Sequence, residues 1–140
     1  MSKAACLEQS FNSVVVFAQY ECGTGVNISE AGLILTCAHC LGDHPKVGIQ
    51  RSVIFTSGLI CLARATKVDV LRDTALMTIV GAYDSSREFD DSPRIFPSTS
   101  LAATPPALKA VLVCTGQPGA DDLESSSRRK TDYPIVSISK

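Results

Sequence analysis

The sequence has no excess of charge of either sign, because thirteen Lys and Arg residues stand against fourteen Asp and Glu residues. This balance argues against nucleic acid or an anionic membrane as a partner. The chain also has no run of about eighteen apolar residues, which a transmembrane helix would need. A glutamate, Glu8, lies where a secretory signal peptide would have its apolar stretch. We therefore expect an intracellular protein, cytoplasmic or nuclear, with no membrane span and no nucleic-acid partner.

The 140-residue chain, 45% of it apolar, has the length and composition of one folded domain. Its apolar segments are short, rich in β-branched residues and separated by turn residues, which is typical of strands. No helical period persists from Ser10 to Val80. The predicted strands are Ser13–Gln19, Gly25–Ser29, Leu33–Thr36, Val53–Thr56, Leu59–Asp69, Thr74–Val80 and Ala110–Thr115. The pattern predicts an all-β fold, a small antiparallel barrel or sandwich.

The second half of the chain changes character. Gly81–Lys109 contains four prolines among acids and serines, which predicts a long surface excursion. Residues 116–131 are polar and carry charge in blocks, as linkers do. Residues 132–140 then begin a new alternating strand, and a strand needs partners for its backbone groups. We predict a barrel over 1–115, a linker over 116–131, and over 132–140 the first strand of a second barrel that is absent.

Two polar residues lie at the ends of buried strands. His39 follows the strand Leu33–Thr36, and Asp73 directly precedes the strand Thr74–Val80. A histidine held by a carboxylate is the general base of many nucleophilic hydrolases, since the carboxylate fixes the tautomer and stabilises the imidazolium. Asp69 competes with Asp73 for this role, although it also suits a cap on the turn between two strands.

Three stretches carry a resemblance to a known family: Gly23-Thr24-Gly25, Gly32–His39 and Asp73–Ile79. In order and spacing they resemble motifs of trypsin-like (chymotrypsin-fold) serine proteases, most closely the intracellular, HtrA-like branch. The resemblance implies a six-stranded antiparallel Greek-key barrel. It also implies that His39 is the general base and Asp73 its orienting carboxylate. It favours Asp73 over Asp69, because Thr74-Ala75-Leu76 follows Asp73 directly.

One element of the family pattern is absent from the sequence. The family's nucleophile lies in a Gly-x-Ser-Gly-Gly stretch, whereas the only glycines after Gly81 are Gly116 and Gly119, and neither flanks a serine. The resemblance therefore implies the N-terminal half of a serine or cysteine endopeptidase, which is inactive alone. The alternative is a stand-alone, non-catalytic barrel that serves as a protein-interaction module.

Either interpretation predicts partners. A half-fold exposes the face that normally packs on a second barrel, and large apolar patches are unusual on monomers. We expect a second barrel in cis or in trans, or a homodimer, and a peptide or protein substrate for the assembled enzyme. No cofactor is implied.

The six cysteines admit several interpretations. Without a secretory signal we expect reduced thiols rather than three disulfides. Cys37-Ala38-His39-Cys40, with His44 nearby, invites a zinc site, yet a second ligand pair at a distance is missing, so buried apolar thiols and no metal are predicted. The resemblance to secreted trypsin-like enzymes would pair Cys22 with Cys40, and the sequence leaves that bridge open.

Overall fold

The computed structural model describes residues 2–19, 23–116 and 135–139 of the chain. Within these residues one helix precedes nine strands, and a 3-10 turn, Ala38–Leu41, follows the third strand. The helix is α1, Lys3–Asn12. The strands are β1 Val14–Phe17, β2 Thr24–Asn27, β3 Leu33–Thr36, β4 Gln50–Phe55, β5 Ile60–Asp69, β6 Thr74–Tyr83, β7 Phe89–Asp90, β8 Leu112–Gly116 and β9 Ile135–Ser139.

The first six strands close into an antiparallel barrel. They are hydrogen-bonded in the order β3-β2-β1-β4-β5-β6, and a further pairing of β3 with β6 closes the ring. The short strand β7 extends the sheet beyond β6, and β8 pairs with β9 in a separate two-stranded sheet. The predicted all-β, six-stranded antiparallel barrel is confirmed.

The barrel interior is filled by the alternate residues of each strand. Burial alternates along β2, β3 and the first half of β5, as expected when one face of a strand points to the core. Removing this apolar surface from water is the main term that stabilises the barrel. Core residues with at most 2% of their surface exposed include Val15, Phe17, Ile34, Leu41, Val53, Phe55, Cys61, Ala63 and Met77.

The prediction of a surface excursion over Gly81–Lys109 was wrong in part. Strand β6 continues to Tyr83, and Phe96 lies in the core with only 6% of its surface exposed. The Phe96 ring stacks on Phe55 with centroids 5.9 Å apart, and its backbone N–H donates to the Glu30 carbonyl. The prolines near Phe96 predict an exposed loop, although Phe96 itself is buried and fixes the segment against the barrel.

The segment is also held through a buried asparagine. The Asn27 side-chain amide donates to the Pro97 carbonyl at 2.7 Å, and the Asn27 backbone carbonyl accepts from the Thr99 N–H at 3.0 Å. Asn27 is fully buried, so these bonds replace water at its Nδ2 and its backbone oxygen, whereas its Oδ1 has no hydrogen-bond partner among the described residues. Helix α1, which the strand pattern did not predict, contacts the same segment through a bond from Gln9 to the Ser98 carbonyl.

The domain boundaries stay a prediction. Of the predicted linker over 116–131, all but Gly116 lies outside the described residues. Gly116 ends β8, and the strand predicted within 132–140 corresponds to β9, which pairs with β8. No helix in the described part of the chain is long and apolar enough to cross a membrane.

Candidate active site

The pairing of β3 with β6 brings two chain segments to one end of the barrel. The strands run antiparallel, with Thr36 opposite Ala75. The residues that follow β3 therefore lie beside those that precede β6. His39 is in the 3-10 turn directly after β3, and Asp73 is the last residue before β6. The closure of the barrel is what places these two side chains together.

The Asp73 carboxylate contacts His39 at two points. Its Oδ2 lies 2.6 Å from the imidazole Nδ1, and its Oδ1 accepts the His39 backbone N–H at 2.9 Å. Asp73 adopts a left-handed backbone conformation with φ of 51°, which aspartate tolerates better than most residues. Because the backbone and the ring of His39 are both held, the imidazole has a defined orientation.

The contact also decides the protonation of the pair. The hydrogen bond from the His39 ring, helped by that from its backbone N–H, lowers the pKa of Asp73. Asp73 is thus an ionised, acceptor-only carboxylate at neutral pH, so Nδ1 of a neutral imidazole must carry the proton. The lone pair of Nε2 is then free to accept another proton. The His39 side chain is 73% exposed, so an incoming group can reach the ring.

Asp69, the other candidate for this position, has a different partner. Its Oδ1 accepts the backbone N–H of Arg72 at 3.1 Å, within the turn between β5 and β6. Its Oδ2 lies 3.8 Å from Arg72 Nε, an exposed ion pair of small energetic weight. Asp69 shapes the turn that presents Asp73.

The turn that carries His39 is anchored from both sides. Ala38 and Leu41 are buried, while the carbonyls of Cys40 and Leu41 accept from Gln19 Nε2 at 3.1 Å and Arg51 Nη2 at 3.0 Å. These bonds satisfy carbonyls that a short helical turn leaves without internal partners. The turn therefore holds His39 on a fixed base although the ring itself is exposed.

Two thiols lie beside the imidazole. Cys37 Sγ is 3.6 Å from His39 Nε2 and 2.9 Å from Cys40 Sγ, and both cysteines are free. Burial, reinforced by the Cys40 thiol, raises the pKa of the Cys37 thiol to about 11. A protonated thiol is a poor nucleophile, so Cys37 is not activated by His39 as it stands. The pairing of Cys22 with Cys40 stays untested, because Cys22 lies outside the described residues.

Comparisons with known proteins agree with the fold of this chain. Residues 23–136 match the family described as Trypsin-like peptidase domain. The chain belongs to this family. Among solved structures, the domain is similar to the serine endoprotease from Yersinia pestis, with a TM-score of 0.65 and 22% identity over 99% of this chain. The search of curated protein sequences found no match to this chain.

The structural match covers nearly all of this chain but less than half of the Yersinia chain. This trypsin-like domain spans 43% of the length of the Yersinia chain, so more than half of that protein has no counterpart here. At 22% identity the likeness shows the fold, a closed barrel with an additional strand. Within the described residues the His39 ring contacts the side chains of Asp73 and Cys37, and neither is a serine.

Proposed function

We propose that this trypsin-like domain is the N-terminal half of an HtrA-like serine or cysteine endopeptidase. It supplies the general base and the orienting carboxylate, and a second barrel supplies the nucleophile. The observation that carries the proposal is the 2.6 Å contact between Asp73 Oδ2 and His39 Nδ1, on a histidine whose side chain is 73% exposed. The motif match over residues 23–136 and the partial length of the structural match support it.

The proposed chemistry follows from the proton positions. Nε2 of His39 takes the proton of the incoming hydroxyl or thiol as its oxygen or sulfur attacks the peptide carbonyl. Asp73 stabilises the imidazolium that forms without accepting its proton. The same proton then passes to the leaving amine as the C–N bond breaks, and water repeats the sequence on the acyl intermediate. Donors for the oxyanion must come from outside this domain, which has no glycine-rich serine loop.

The exposure of the site supports the need for a second barrel. Half of the Asp73 side chain is exposed, and the neighbouring Leu71 is 99% exposed. Polar preorganisation is worth most where water is excluded, and the adjacent Val70 is 65% exposed as well, so two consecutive apolar side chains beside Asp73 lie in solvent where a partner could cover them. We propose that a second barrel, in cis or in trans, covers this end and that the domain alone has no peptidase activity. A homodimer or an interaction module is the alternative that the same exposed residues allow.

Peptidase assays on the longest native form of the protein test the proposal. Asp73→Asn is expected to reduce kcat by about 10⁴-fold, because the amide favours the wrong imidazole tautomer. His39→Ala is expected to reduce it by at least as much. His44→Ala is the matched control, since His44 is exposed and has no part in the proposed site. Undiminished peptide hydrolysis by the His39→Ala variant would refute the assignment, and loss of activity in His44→Ala would show that the effect is not specific.

A further inference from the structure

Three potential metal ligands meet at one end of the barrel. Cys37 Sγ, Cys40 Sγ and a ring nitrogen of His39 all lie within 4.8 Å of one another. They come from a four-residue stretch that follows β3 and enters the 3-10 turn. The sequence pattern alone favours apolar thiols here, because it lacks a second ligand pair. The structure adds what the pattern could not show, which is that the histidine between the cysteines turns toward them.

The distances suit a tetrahedral thiophilic cation. Bond lengths of about 2.3 Å to sulfur and 2.0–2.1 Å to nitrogen place a sulfur and a nitrogen ligand of zinc about 3.6 Å apart. The separation of Cys37 Sγ and His39 Nε2 is 3.6 Å. Two sulfur ligands would stand about 3.8 Å apart, so the thiols at 2.9 Å must separate by about 0.9 Å. Cys37 is only partly buried, so its side chain has room for this movement.

Asp73 prepares the histidine for such a site. Metal-binding histidines almost always donate their other ring N–H to a carboxylate or carbonyl, which fixes the tautomer and the ring orientation. Asp73 accepts from Nδ1 at 2.6 Å and leaves Nε2, the nitrogen nearer to Cys37, as the free donor atom. The arrangement that orients a general base is therefore also the one that orients a zinc ligand.

We propose that Cys37, His39 and Cys40 form a three-ligand site for a zinc ion, with a fourth position open toward solvent. The two thiols release their protons to solvent and the thiolates offset the charge of the ion. Because the His39 side chain is 73% exposed, water can complete the tetrahedron. Three protein ligands and one exchangeable position are the arrangement of a site that is regulatory or catalytic rather than purely structural.

The site has a consequence that rests on the proposed function. Zinc on Nε2 occupies the lone pair that would accept the nucleophile's proton. A zinc-loaded domain is therefore an inhibited protease half, and removal of the ion by a chelator restores the base. The binding itself does not depend on the protease proposal, because it needs only the residues of this chain.

Metal titration of the 140-residue chain tests the site. The chain is reduced with a phosphine, titrated with Co²⁺ alone, and followed by thiolate-to-cobalt charge-transfer absorption; Zn²⁺ is then added as competitor. We expect one Co²⁺ per chain, displaced by one Zn²⁺. Removing the hydrogen-bond partner of a metal ligand typically weakens metal binding by roughly 10- to 100-fold. Cys37→Ser and His39→Ala remove a ligand itself, so they are expected to weaken Co²⁺ binding by more than that. Asp73→Asn is expected to fall within that 10- to 100-fold range.

Two exposed cysteines provide matched controls. Cys6→Ser and Cys114→Ser remove thiols that lie outside the cluster, so binding should be unchanged. Circular dichroism of every variant separates loss of a ligand from loss of the fold, which matters most for the buried Cys40. Absence of stoichiometric cobalt absorption in the folded chain would overturn the proposal, as would binding unaffected by Cys37→Ser. Either result leaves the peptidase assays of His39→Ala untouched, so the two proposals fail separately.

Discussion

Replacing the glycine at position 25 even by alanine is expected to destabilise the domain, and the reason is steric. Gly25 lies in β2, where an added Cβ would stand 2.7 Å from Ile34 Cγ2 and 3.3 Å from both Val15 Cγ2 and the Leu35 carbonyl. Carbon atoms prefer separations of about 3.5–4.0 Å. Ile34 and Val15 are both fully buried, so neither can swing into solvent to make room. The strands on either side of β2 must shift instead.

The expected cost of Gly25→Ala is the difference between two terms. Overpacking a tight core by one methyl group costs about 1–3 kcal/mol. Removing a glycine also restricts the unfolded chain, which returns about 0.4–1 kcal/mol. We therefore expect the free energy of unfolding to fall by about 1–2 kcal/mol, a large share of the roughly 5–15 kcal/mol of a typical domain. Urea denaturation followed by far-UV circular dichroism measures it, with an unchanged m-value.

A second substitution tests whether the clash is the cause. Ile34→Leu removes the β-branched methyl group that Gly25→Ala would strike, and keeps the side-chain volume. Gly25→Ala should cost less in that background, with a coupling energy of about 0.5 kcal/mol or more. Gly48→Ala is the control, since Gly48 has φ of +97° and nothing within 4 Å of an added Cβ, so its cost should be the same in both backgrounds. Full additivity of Gly25→Ala and Ile34→Leu, or a Gly25→Ala chain as stable as wild type, would refute the reasoning.

Two further predictions concern the segments that follow the barrel strands. Asn27→Ala removes the donor to the Pro97 carbonyl and is expected to lower the free energy of unfolding by about 1–3 kcal/mol in urea denaturation, and an unchanged midpoint would contradict it. Asp84 accepts from the Ser86 hydroxyl, the Glu88 N–H and the Ser86 N–H, which lower its pKa. Its stabilising effect is therefore present above the ordinary value of roughly 3.9 and is lost as pH falls through the lower folded value. Wild type and Asp84→Asn should differ in thermal stability at neutral pH and converge in acid; a constant difference at all pH values would argue against this.

The barrel could be predicted largely because its strands are short and distinct. Alternation and β-branched composition located all six barrel strands. The pairing of β3 with β6 is of another kind, since it joins Thr36 to Ala75, which lies 39 residues further along the chain. Local periodicity carries no information on such a register. The resemblance in motif order indicated that His39 and Asp73 meet, and the structure does bring them into contact.

The elements that the sequence did not predict are those that tertiary contacts decide. Helix α1 has no buried residue and so no strong apolar stripe, and its clearest signal is Ser2, whose side chain caps the Ala5 N–H. Phe96 stands among prolines and charges, and only its stacking on Phe55 makes it a core residue. The proximity of Cys37 to the His39 ring depends on the side-chain direction at the start of a 3-10 turn, which spacing along the chain does not specify.

The geometry of this end of the barrel links the two proposals. Asp73 makes one lone pair of His39 available, and that nitrogen can serve a proton or a metal ion but not both at once. In an assembled protease the second barrel would place a nucleophile where this chain leaves Nε2 open. In this chain Cys37 Sγ lies 3.6 Å from Nε2. The nucleophile's proton and a zinc ion therefore compete for Nε2 of His39. In the assembled enzyme a chelator should increase the fraction of molecules in which Nε2 can act as the base, and added zinc should decrease it.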